Sequence, residues 1–368
     1  MPYRGDRWSV ASALMVGVAA VVVLVVGVST GGASVATPAP SAPVDTGHGP
    51  ERLTPPVPSL RAGAAIAYDA VRHEVVLFGG VSDSRSSPSL NDTWTFRGRH
   101  WTERDPVTRP GPLDSAEMVY DSQTHTCLLV SSGRGAGPAV TWSWDGTTWT
   151  QLPDVPFGAD ETLQALASDP TTGHALLLSV VIPADGPPST ATHTWTWDGH
   201  SWTLRHPRTP FPAVPIAGGR PILASIGSGA SGRLGPGILA VFENGDGLAR
   251  TLAWDGSTWS QVAVGATPPY NPLGATMAED ATAEDVVLIG LGDTSGDPGS
   301  TWLWNGKNWH AAGPAPLIDS LYGGTTAVSD SASAHAVVIG ESSPDSRSNQ
   351  FDVLWTFDGR GWGSDRPA

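Results

Sequence analysis

Short apolar runs separated by turn-forming residues make up most of the chain after residue 58. A typical stretch, "RAGAAIAYDAVRHEVVLFGG" at residues 61–80, has a segment of small residues that ends at an acidic turn, followed by a run of β-branched residues. Runs of this length, bounded by Gly, Pro and Asp, are typical of β-strands. The pattern recurs along the chain and is most degenerate at residues 220–242. It predicts an all-β protein built from repeated strand pairs.

Each strand pair is followed by a hairpin with three aromatic positions, as in "TWSWDGTTWT" at residues 141–150. Six such hairpins recur about every 50 residues, and they contain every tryptophan except Trp8. The hairpin tryptophans are Trp94, Trp101, Trp142, Trp144, Trp149, Trp195, Trp197, Trp202, Trp254, Trp259, Trp302, Trp304, Trp309, Trp355 and Trp362. A repeat of about this length is that of a kelch-type β-propeller blade.

Two geometries fit the hairpin, and both bring its three rings to one face. In a two-residue turn at Asp145 and Gly146, Trp142 faces Trp149 across the strands. In a four-residue loop from Asp145 to Thr148, Trp144 faces Trp149 instead. The glycine is expected at a positive φ, and the residue before it is the more tolerant position.

We therefore predict a six-bladed β-propeller with four-stranded blades, preceded by one N-terminal transmembrane helix. The propeller is expected at residues 59–364, with blades at about 59–104, 113–152, 161–205, 218–262, 273–311 and 322–364. Both ends carry whole blades in this division, so a strand exchanged between the termini is not required. Residues 53–59 nevertheless look like the end of an outer-strand connection, and this leaves some overlap open.

The repeats resemble those of the bacterial kelch-repeat family of propellers, which are similar to the central domain of galactose oxidase. The "VVLFGG" segment that ends at Gly79 and Gly80 and the W-x-W-D-G-x-x-W hairpin carry the resemblance. Galactose oxidase-like chemistry implies copper held by a cross-linked Cys-Tyr pair, a further Tyr and two His. Cys127 lies within an apolar strand, where a buried, inert thiol is expected, so no cofactor and no metal are predicted.

The first residues differ in character from the repeats. Residues 8–28 contain no charged residue, and this segment is long enough for a membrane-spanning helix. Arg4 and Arg7 precede it. Residues 1–36 are therefore interpreted as a signal anchor, with cleavage near Ala36 and secretion as the alternative. Residues 37–58 form a proline-rich linker. The predicted location is the cell membrane, with the propeller outside the cytoplasm.

The charge balance limits the possible partners. The chain has a formal net charge of −15, which repels a phosphate backbone and argues against nucleic acid. Its single cysteine excludes an intrachain disulfide. We expect a monomer that binds a protein or glycan through the propeller.

The recurring tryptophans have two interpretations. Flat indole rings stack well on sugars, so they could form a carbohydrate platform. Because they recur in all six repeats, packing of one blade on the next explains them better.

The non-repetitive loops after the second strand of each blade are the predicted ligand-binding region. "SDSRSS" in the first blade and "PDSRSN" in the sixth are similar, and ring closure makes these blades neighbours. With the second blade, they supply the candidate cationic patch: Arg85, Arg134 and Arg347, with Asp83 and Asp345 beside them. Such a patch can bind a carboxylate, but exposed ion pairs between these arginines and aspartates explain the same residues.

Two further groups suggest metals. His73, His125, His174 and His335 lie at the turns between the first and second strands of four blades. Turns on successive blades diverge from the axis, so these histidines are not expected to converge on a metal. Asp246, Asp293 and Asp297 lie in glycine-rich loops but provide too few oxygens for calcium.

The sequence favours a binding or protein-interaction module. The alternative is a carbohydrate-active or galactose oxidase-like enzyme on the same scaffold.

Overall fold

The structure is a computed structural model. It describes residues 51–52, 56–59, 61–82, 89–98, 100–113, 115–132, 138–158, 160–182, 191–214, 220–227, 235–243, 248–262, 268, 275–280, 284–290, 299–315, 326–330, 335–340 and 353–363. All of them belong to one compact unit, Asp45–Ala368. The predicted membrane segment at residues 8–28 lies outside the described residues. Within the described ranges, no helix has the length and apolar character needed to cross a membrane.

Six antiparallel sheets form the repeated units, and each follows the chain as a simple meander. Blade one contains β3 (Ala65–Asp69), β4 (Glu74–Phe78), β6 (Thr93–Arg97) and β7 (His100–Arg104). Blade two contains β8 (Ala116–Asp121), β9 (Thr126–Ser131), β10 (Ala139–Trp144) and β11 (Trp149–Val155). Blade three contains β12 (Glu161–Asp169), β13 (His174–Val181), β14 (Ala191–Trp197) and β15 (Trp202–Arg205).

The other three blades repeat this order. Blade four contains β16 (Ile222–Ile226), β17 (Gly237–Glu243), β18 (Ala249–Trp254) and β19 (Trp259–Gln261). Blade five contains β20 (Thr276–Asp280), β21 (Asp285–Gly290), β22 (Ser300–Trp304) and β23 (Trp309–Pro314). Blade six contains β24 (Thr326–Asp330), β25 (His335–Gly340), β26 (Val353–Phe357) and β27 (Trp362–Gly363), together with β1 (Glu51–Arg52). A small separate sheet pairs β2 (Arg61–Ala62) with β5 (Val81–Ser82). The prediction of six four-stranded blades is confirmed.

Each blade is buried on both faces, which explains its residue pattern. The second strand has an apolar run without alternation; every residue of β4 and β17, for example, is buried, including Glu74 and Glu243 at their ends. The first strand lies nearest the axis, where space is smallest, and small residues such as Ala65 and Ala67 occupy it. The β-strand propensity of the residues and the position of each strand in the ring therefore favour the residue types that the sequence has there.

The ring is held by six hydrophobic clusters among the described residues, one at each interface between neighbouring blades. The cluster between blades one and two, for example, joins Phe78 to Trp144 and Trp149. The cluster between blades six and one joins Val337 to Trp94 and to Val57, which precedes the first blade. The sheets therefore form a closed ring.

Both termini carry whole blades, and the overlap that the sequence left open is also present at the ring closure. The outer position of blade six is shared: β27 pairs with the end of β26, and β1 pairs with its beginning, Glu51 opposite Leu354 and Arg52 opposite Val353. Both segments run antiparallel to β26. Residues from the predicted linker thus extend the last sheet, because this joins the two ends of the chain.

The aromatic hairpin of blade two adopts the four-residue loop, whereas in blade one the strand pairing continues to Arg97 and His100. Trp144 is paired with Trp149, and the Asp145 N–H donates to the Thr148 carbonyl at 3.3 Å. Asp145 Oδ1 accepts the N–H groups of Thr147 and Thr148, both at 2.8 Å. Gly146 has φ of +95°, as the turn requires. The aspartate position is less tolerant than expected, because its carboxylate caps the loop.

Candidate functional site at the loop end of the ring

The two ends of the ring differ in construction. At the turn end, the first strand of each blade leads into the second, and the Asp-Gly loops connect the third strand to the fourth. At the loop end, first strands begin and second strands finish. The strands flanking the predicted cationic loops finish or begin at this loop end: β9 and β10 in blade two, β25 and β26 in blade six. Arg85, Arg134, Arg347, Asp83 and Asp345 themselves lie outside the described residues.

The last tryptophan of each hairpin contacts the preceding blade. Its indole N–H donates to the threonine that comes just before the first aromatic position of that blade. The pairs are Trp149 to Thr93 (2.9 Å), Trp202 to Thr141 (3.0 Å), Trp259 to Thr194 (3.2 Å), Trp309 to Thr251 (2.8 Å) and Trp362 to Thr301 (2.8 Å). These hydrogen bonds join neighbouring blades at five of the six blade interfaces.

A buried aspartate at the end of the first strand provides another connection. Asp169 Oδ2 accepts the Trp254 indole N–H of the next blade at 3.0 Å. Asp121 Oδ2 lies 2.8 Å from Nδ1 of His174, also in the next blade. In blade four Ile226 occupies this position, and the buried Trp304 indole N–H of blade five has no partner among the described residues. These repeat residues hold blades together at the turn end.

The flat faces of the tryptophan rings pack against other residues of the protein. Within each hairpin the second and third rings lie 5.1 to 5.5 Å apart, tilted by 41° to 53°. Trp142 and Trp302 are half-buried, and the other hairpin tryptophans are buried. Where Leu252 replaces the first ring, Phe211 packs against Trp259 with centroids 4.9 Å apart. A ligand therefore has to bind to a surface other than these tryptophan rings.

The central channel provides a water-accessible cavity of about 500 Å³. Its walls are the first strands of blades one to five. Glu117 of blade two and Arg220, just before β16 of blade four, lie 3.7 Å apart across it, so this pair joins blades that are not neighbours. Their side chains are 37% and 54% exposed to the channel, respectively. The surrounding strands raise the pKa of Glu117 by desolvation, and the charge of Arg220 partly offsets this effect.

Hydrogen-bonding side chains also occur along the channel walls. Tyr68 and Tyr120 lie at equivalent positions of blades one and two, and their hydroxyls are within 3.4 and 3.3 Å of Nδ1 of His73 and His125. Gln164 lies farther toward the loop end in blade three. The walls thus offer carboxylate, guanidinium, amide and phenol groups to a bound molecule.

A buried carboxylate organises the loop end of blade three. Glu161 Oε1 accepts hydrogen bonds from the Ser179 hydroxyl and from the Trp195 indole at 3.0 Å, and it lies 3.0 Å from Nδ1 of His193. Burial raises the pKa of Glu161, but hydrogen bonds from Ser179 and the Gly158 N–H outweigh burial, so the pKa is lowered. The Ser179 hydroxyl donates its proton to Glu161 Oε1, and Nδ1 of His193 contacts the same oxygen.

These polar groups were not among the residues singled out from the sequence. Glu117 follows the first residue of β8 and Glu161 begins β12, so each is a glutamate at the start of a first strand, and this is the signal that was present. Their partners are distant in sequence, and only ring geometry brings Arg220 to Glu117.

The residues considered for metal binding have separate partners. His73 and His125 occupy the left-handed position of their turns, with φ of +53° and +57°. His174 lies one position later and contacts Asp121. Among the side chains that the structure describes, no group of three or more His, Cys, Asp or Glu is arranged to hold a metal ion. Asp246, Asp293 and Asp297 lie outside the described residues.

The cysteine has the environment of a core residue. Cys127 is fully buried in β9, and burial raises the pKa of its thiol well above the usual value.

Comparison with known proteins supports the fold. No protein-family model matches the chain, and no curated protein matches it. Solved structures similar to this chain include the Aleuria aurantia lectin in complex with Fucα1-6GlcNAc, at 14% identity and a TM-score of 0.54, covering 83% of this chain and 96% of that one. The SapL1 lectin in complex with α-methyl fucoside has 15% identity and a TM-score of 0.55, covering 83% and 95%.

An enzyme is also among the similar structures. The Penicillium chrysogenum α-L-arabinanase complexed with arabinobiose has 11% identity and a TM-score of 0.52, covering 83% of this chain and 99% of that one. At these identities the similarities show the fold alone: this chain is a six-bladed β-propeller. Membership of the kelch-repeat family stays a prediction.

Proposed function

We propose that this protein is a membrane-anchored, extracytoplasmic binding module whose propeller binds a glycan through its loop end and central channel. The observation that carries the proposal is the charged Glu117–Arg220 pair, open to a cavity of about 500 Å³. Planar carboxylate and guanidinium groups can hydrogen-bond two adjacent sugar hydroxyls at once. Tyr68, Tyr120 and Gln164 add further donors and acceptors on the same walls.

The ring is suited to hold these groups in place. The Trp–Thr hydrogen bonds and the buried Asp169–Trp254 contact fix the blades on which the channel residues lie. A preorganised site loses less conformational entropy when a ligand binds. Lectins among the structures with the same fold are consistent with a binding role.

The membrane anchor is a separate part of the proposal. It rests on the uncharged residues 8–28 and the preceding arginines, which favour export of the following chain. Secretion after cleavage near Ala36 is the alternative. Protease accessibility of the propeller in intact cells, together with the size of the mature chain, distinguishes these locations.

The cationic patch of Arg85, Arg134 and Arg347 remains part of the proposed loop-end surface. It is proposed to bind a carboxylate of a partner or cell-envelope polymer. The double variant Arg85→Ala/Arg347→Ala is expected to lose that binding, and unchanged binding would remove the patch from the proposal.

A second candidate function is a carbohydrate-active or galactose oxidase-like enzyme. The Glu161–His193 contact favours acid–base chemistry, because a carboxylate can orient an imidazole. Stoichiometric copper in the purified full-length protein, or turnover of a bound sugar, would overturn the module and support this alternative.

The channel is tested with the full-length protein in detergent on a glycan array. The double variant Glu117→Gln/Arg220→Gln removes both charges of the pair together. It is expected to weaken binding of the glycan hits by roughly 10- to 100-fold, since hydrogen bonds to charged groups are lost.

Arg109→Gln is the matched control. Arg109 is also paired with a carboxylate, Asp105 at 2.8 Å, but it lies on an exposed connection between blades and does not line the channel. The affinity of this variant for the glycan hits is expected to equal that of the unmodified protein. Absence of glycan binding by the unmodified protein, or full binding by the double variant, contradicts the channel site.

A further inference from the structure

The outer edge of blade three carries an unusual concentration of positive charge for an acidic protein. The segment "RHPR" places Arg205, His206 and Arg208 within four residues, and all three side chains are exposed. None of the three has a carboxylate within ion-pair distance or a side-chain hydrogen bond among the residues that the structure describes. The two guanidinium charges therefore have no counter-ion in the described part of the chain.

A shallow cavity of about 170 Å³ lies at this edge. Leu204, Arg205, His206 and Pro207 line it from blade three, and Ser257 lines it from a loop of blade four. This volume is several times the roughly 30 Å³ that a water molecule occupies in the liquid. The cavity can therefore hold a compact polyatomic ion between the two blades.

The same segment of blade one shows what has changed. "WTERDPVT" at residues 101–108 aligns with "WTLRHPRT" at residues 202–209, so Arg104 corresponds to Arg205 and Asp105 to His206. Arg104 is neutralised by buried Glu74 at 3.4 Å and also donates to the Thr95 hydroxyl at 2.9 Å. In blade three the residue equivalent to Glu74 is His174, which contacts Asp121 instead. Blade one thus pairs its arginine with a carboxylate, and blade three does not pair the equivalent Arg205 with one among the described residues.

The cationic segment is fixed in position. The Thr209 N–H donates to the Thr258 hydroxyl at 3.2 Å, and the Trp259 N–H donates to the Thr209 carbonyl at 3.3 Å. Arg205 begins the segment within the β15 ladder, opposite Thr194. Both ends are therefore anchored to the ring, which reduces the entropy lost on binding.

The nearest acidic residue along the Ser257 loop is Asp255. Its Oδ1 atom accepts hydrogen bonds from the N–H groups of Thr258 and Ser257, both at 2.9 Å, and from the Ser257 hydroxyl at 2.8 Å. These bonds hold it as the cap of its own loop.

We propose that this edge, defined by Arg205 and His206 in the cavity wall with exposed Arg208 following in the same segment, is a binding site for a phosphate group carried by a soluble or carbohydrate ligand. Guanidinium groups bind tetrahedral oxyanions with paired, charge-assisted hydrogen bonds, and the imidazole of His206 adds a ring nitrogen beside them. The Ser257 hydroxyl donates to Asp255 and contributes only to the wall of the cavity. The site is separate from the channel and from the predicted patch at Arg85, Arg134 and Arg347, so it goes beyond the proposed glycan module.

Isothermal titration of the full-length protein in detergent tests the site with inorganic phosphate, glucose 6-phosphate and glucose at constant ionic strength. Both phosphates are expected to bind saturably, and glucose is not. Arg205→Gln should weaken phosphate binding by roughly 10-fold or more, and Arg208→Gln should weaken it less because Arg208 does not line the cavity. Preference for glucose 6-phosphate over inorganic phosphate identifies a phosphorylated sugar as the source of the group.

Arg104→Gln is the matched control at the equivalent position of blade one. It should leave phosphate binding unchanged because Arg104 is already paired with Glu74. Glu117→Gln/Arg220→Gln should also leave it unchanged, which separates failure of this site from failure of the channel. Absence of saturable phosphate binding, equal loss in Arg104→Gln, or full retention in both blade-three variants overturns the proposal. Binding to phosphate-bearing vesicles but to neither soluble phosphate assigns the surface to lipid and overturns it as well.

Discussion

The interface between blades six and one differs from the other five blade interfaces. At the five, the last tryptophan of one hairpin donates to a buried threonine of the preceding blade, as Trp202 does to Thr141. At the sixth, the corresponding donor is Trp101, and the sequence has Leu354 where the other blades have threonine. The buried Trp101 indole N–H has no partner among the described residues. The repeat is therefore complete in its apolar packing but not in its hydrogen bonds.

The difference shows that the bonds of this ring are shared between blades. A donor on one blade needs an acceptor on the blade before it, so a substitution in one repeat leaves an unpaired group in the next. At the turn end, the Trp304 indole N–H of blade five faces Ile226 of blade four, whereas the Trp144 indole N–H lacks a partner in the described part of the chain although blade one has Asp69 at the acceptor position. At the closing interface, strand pairing with β1 and packing of Val57 join the ends of the chain instead.

The largest expected effect is loss of a threonine acceptor at a regular interface. Thr141→Val keeps the side-chain shape but leaves the buried Trp202 N–H without an acceptor. We expect a loss of about 1–3 kcal/mol in the free energy of unfolding. Urea denaturation of the full-length protein in detergent measures it.

Thr356→Val in blade six is the matched control. The Thr356 hydroxyl is buried and has no hydrogen-bond partner in the described part of the chain. Its removal is expected to leave stability unchanged or slightly increased, because an unsatisfied polar group is replaced by a methyl group. Equal losses in both variants would show that the Trp–Thr bonds do not distinguish the interfaces.

A smaller difference is expected between two tryptophans at equivalent positions. Trp254→Phe removes the donor to buried Asp169, whereas Trp304→Phe removes an N–H with no acceptor among the described residues. Both variants lose similar ring volume, so their difference isolates the hydrogen bond. Trp254→Phe should be less stable than Trp304→Phe by about 1–2 kcal/mol in the same assay. The reverse order contradicts the pairing of indole with aspartate.

The number of blades and the strand order could be predicted from the sequence, because both follow from the spacing of the hairpins and from local turn chemistry. The positive φ of Gly146 could be predicted for the same reason. The choice between the two turn geometries could not, since both place the rings on one face. The loop cap by Asp145 decides it.

Contacts between blades could not be predicted from the local sequence pattern. The threonine before the first aromatic position recurs in five hairpins, but its partner becomes evident only when the next blade is placed beside it. The two-residue β1 is too short to give a periodic signal. Glu117 and Arg220 meet because the ring curves, and neither residue's neighbours in sequence indicate the other.

The closing interface can be made to resemble the others. Leu354→Thr places a hydroxyl at the position from which the other blades accept the indole N–H. We expect a favourable coupling of about 1 kcal/mol between this introduced hydroxyl and the Trp101 indole, measured by a double-mutant cycle. The cycle uses Leu354→Thr, Trp101→Phe and the combined variant, so changes in apolar burial cancel. A coupling of zero would show that the blades are too far apart here for the bond.

The smallest expected effect concerns the hairpin loops and acid. Asp145, Asp198, Asp255 and Asp358 cap their loops, whereas blade one has Arg97 and blade five has Asn305 at this position. The N–H groups of His200 and Thr258 lower the pKa of Asp198 and Asp255; at Asp145 and Asp358 partial burial raises the pKa, but the loop hydrogen bonds outweigh it.

Because the folded-state pKa of each carboxyl is below its unfolded value of about 3.9, the carboxylates stabilise the fold above that pH. The stabilisation is lost as the pH falls through the folded-state pKa. Replacing all four by asparagine should keep the loops capped, since Asn305 Oδ1 already accepts the Lys307 and Asn308 N–H groups at 3.1 and 3.0 Å. The urea midpoint of this variant should therefore fall less between pH 5 and pH 3 than that of the unmodified protein. An equal fall would place the acid-sensitive groups elsewhere in the ring.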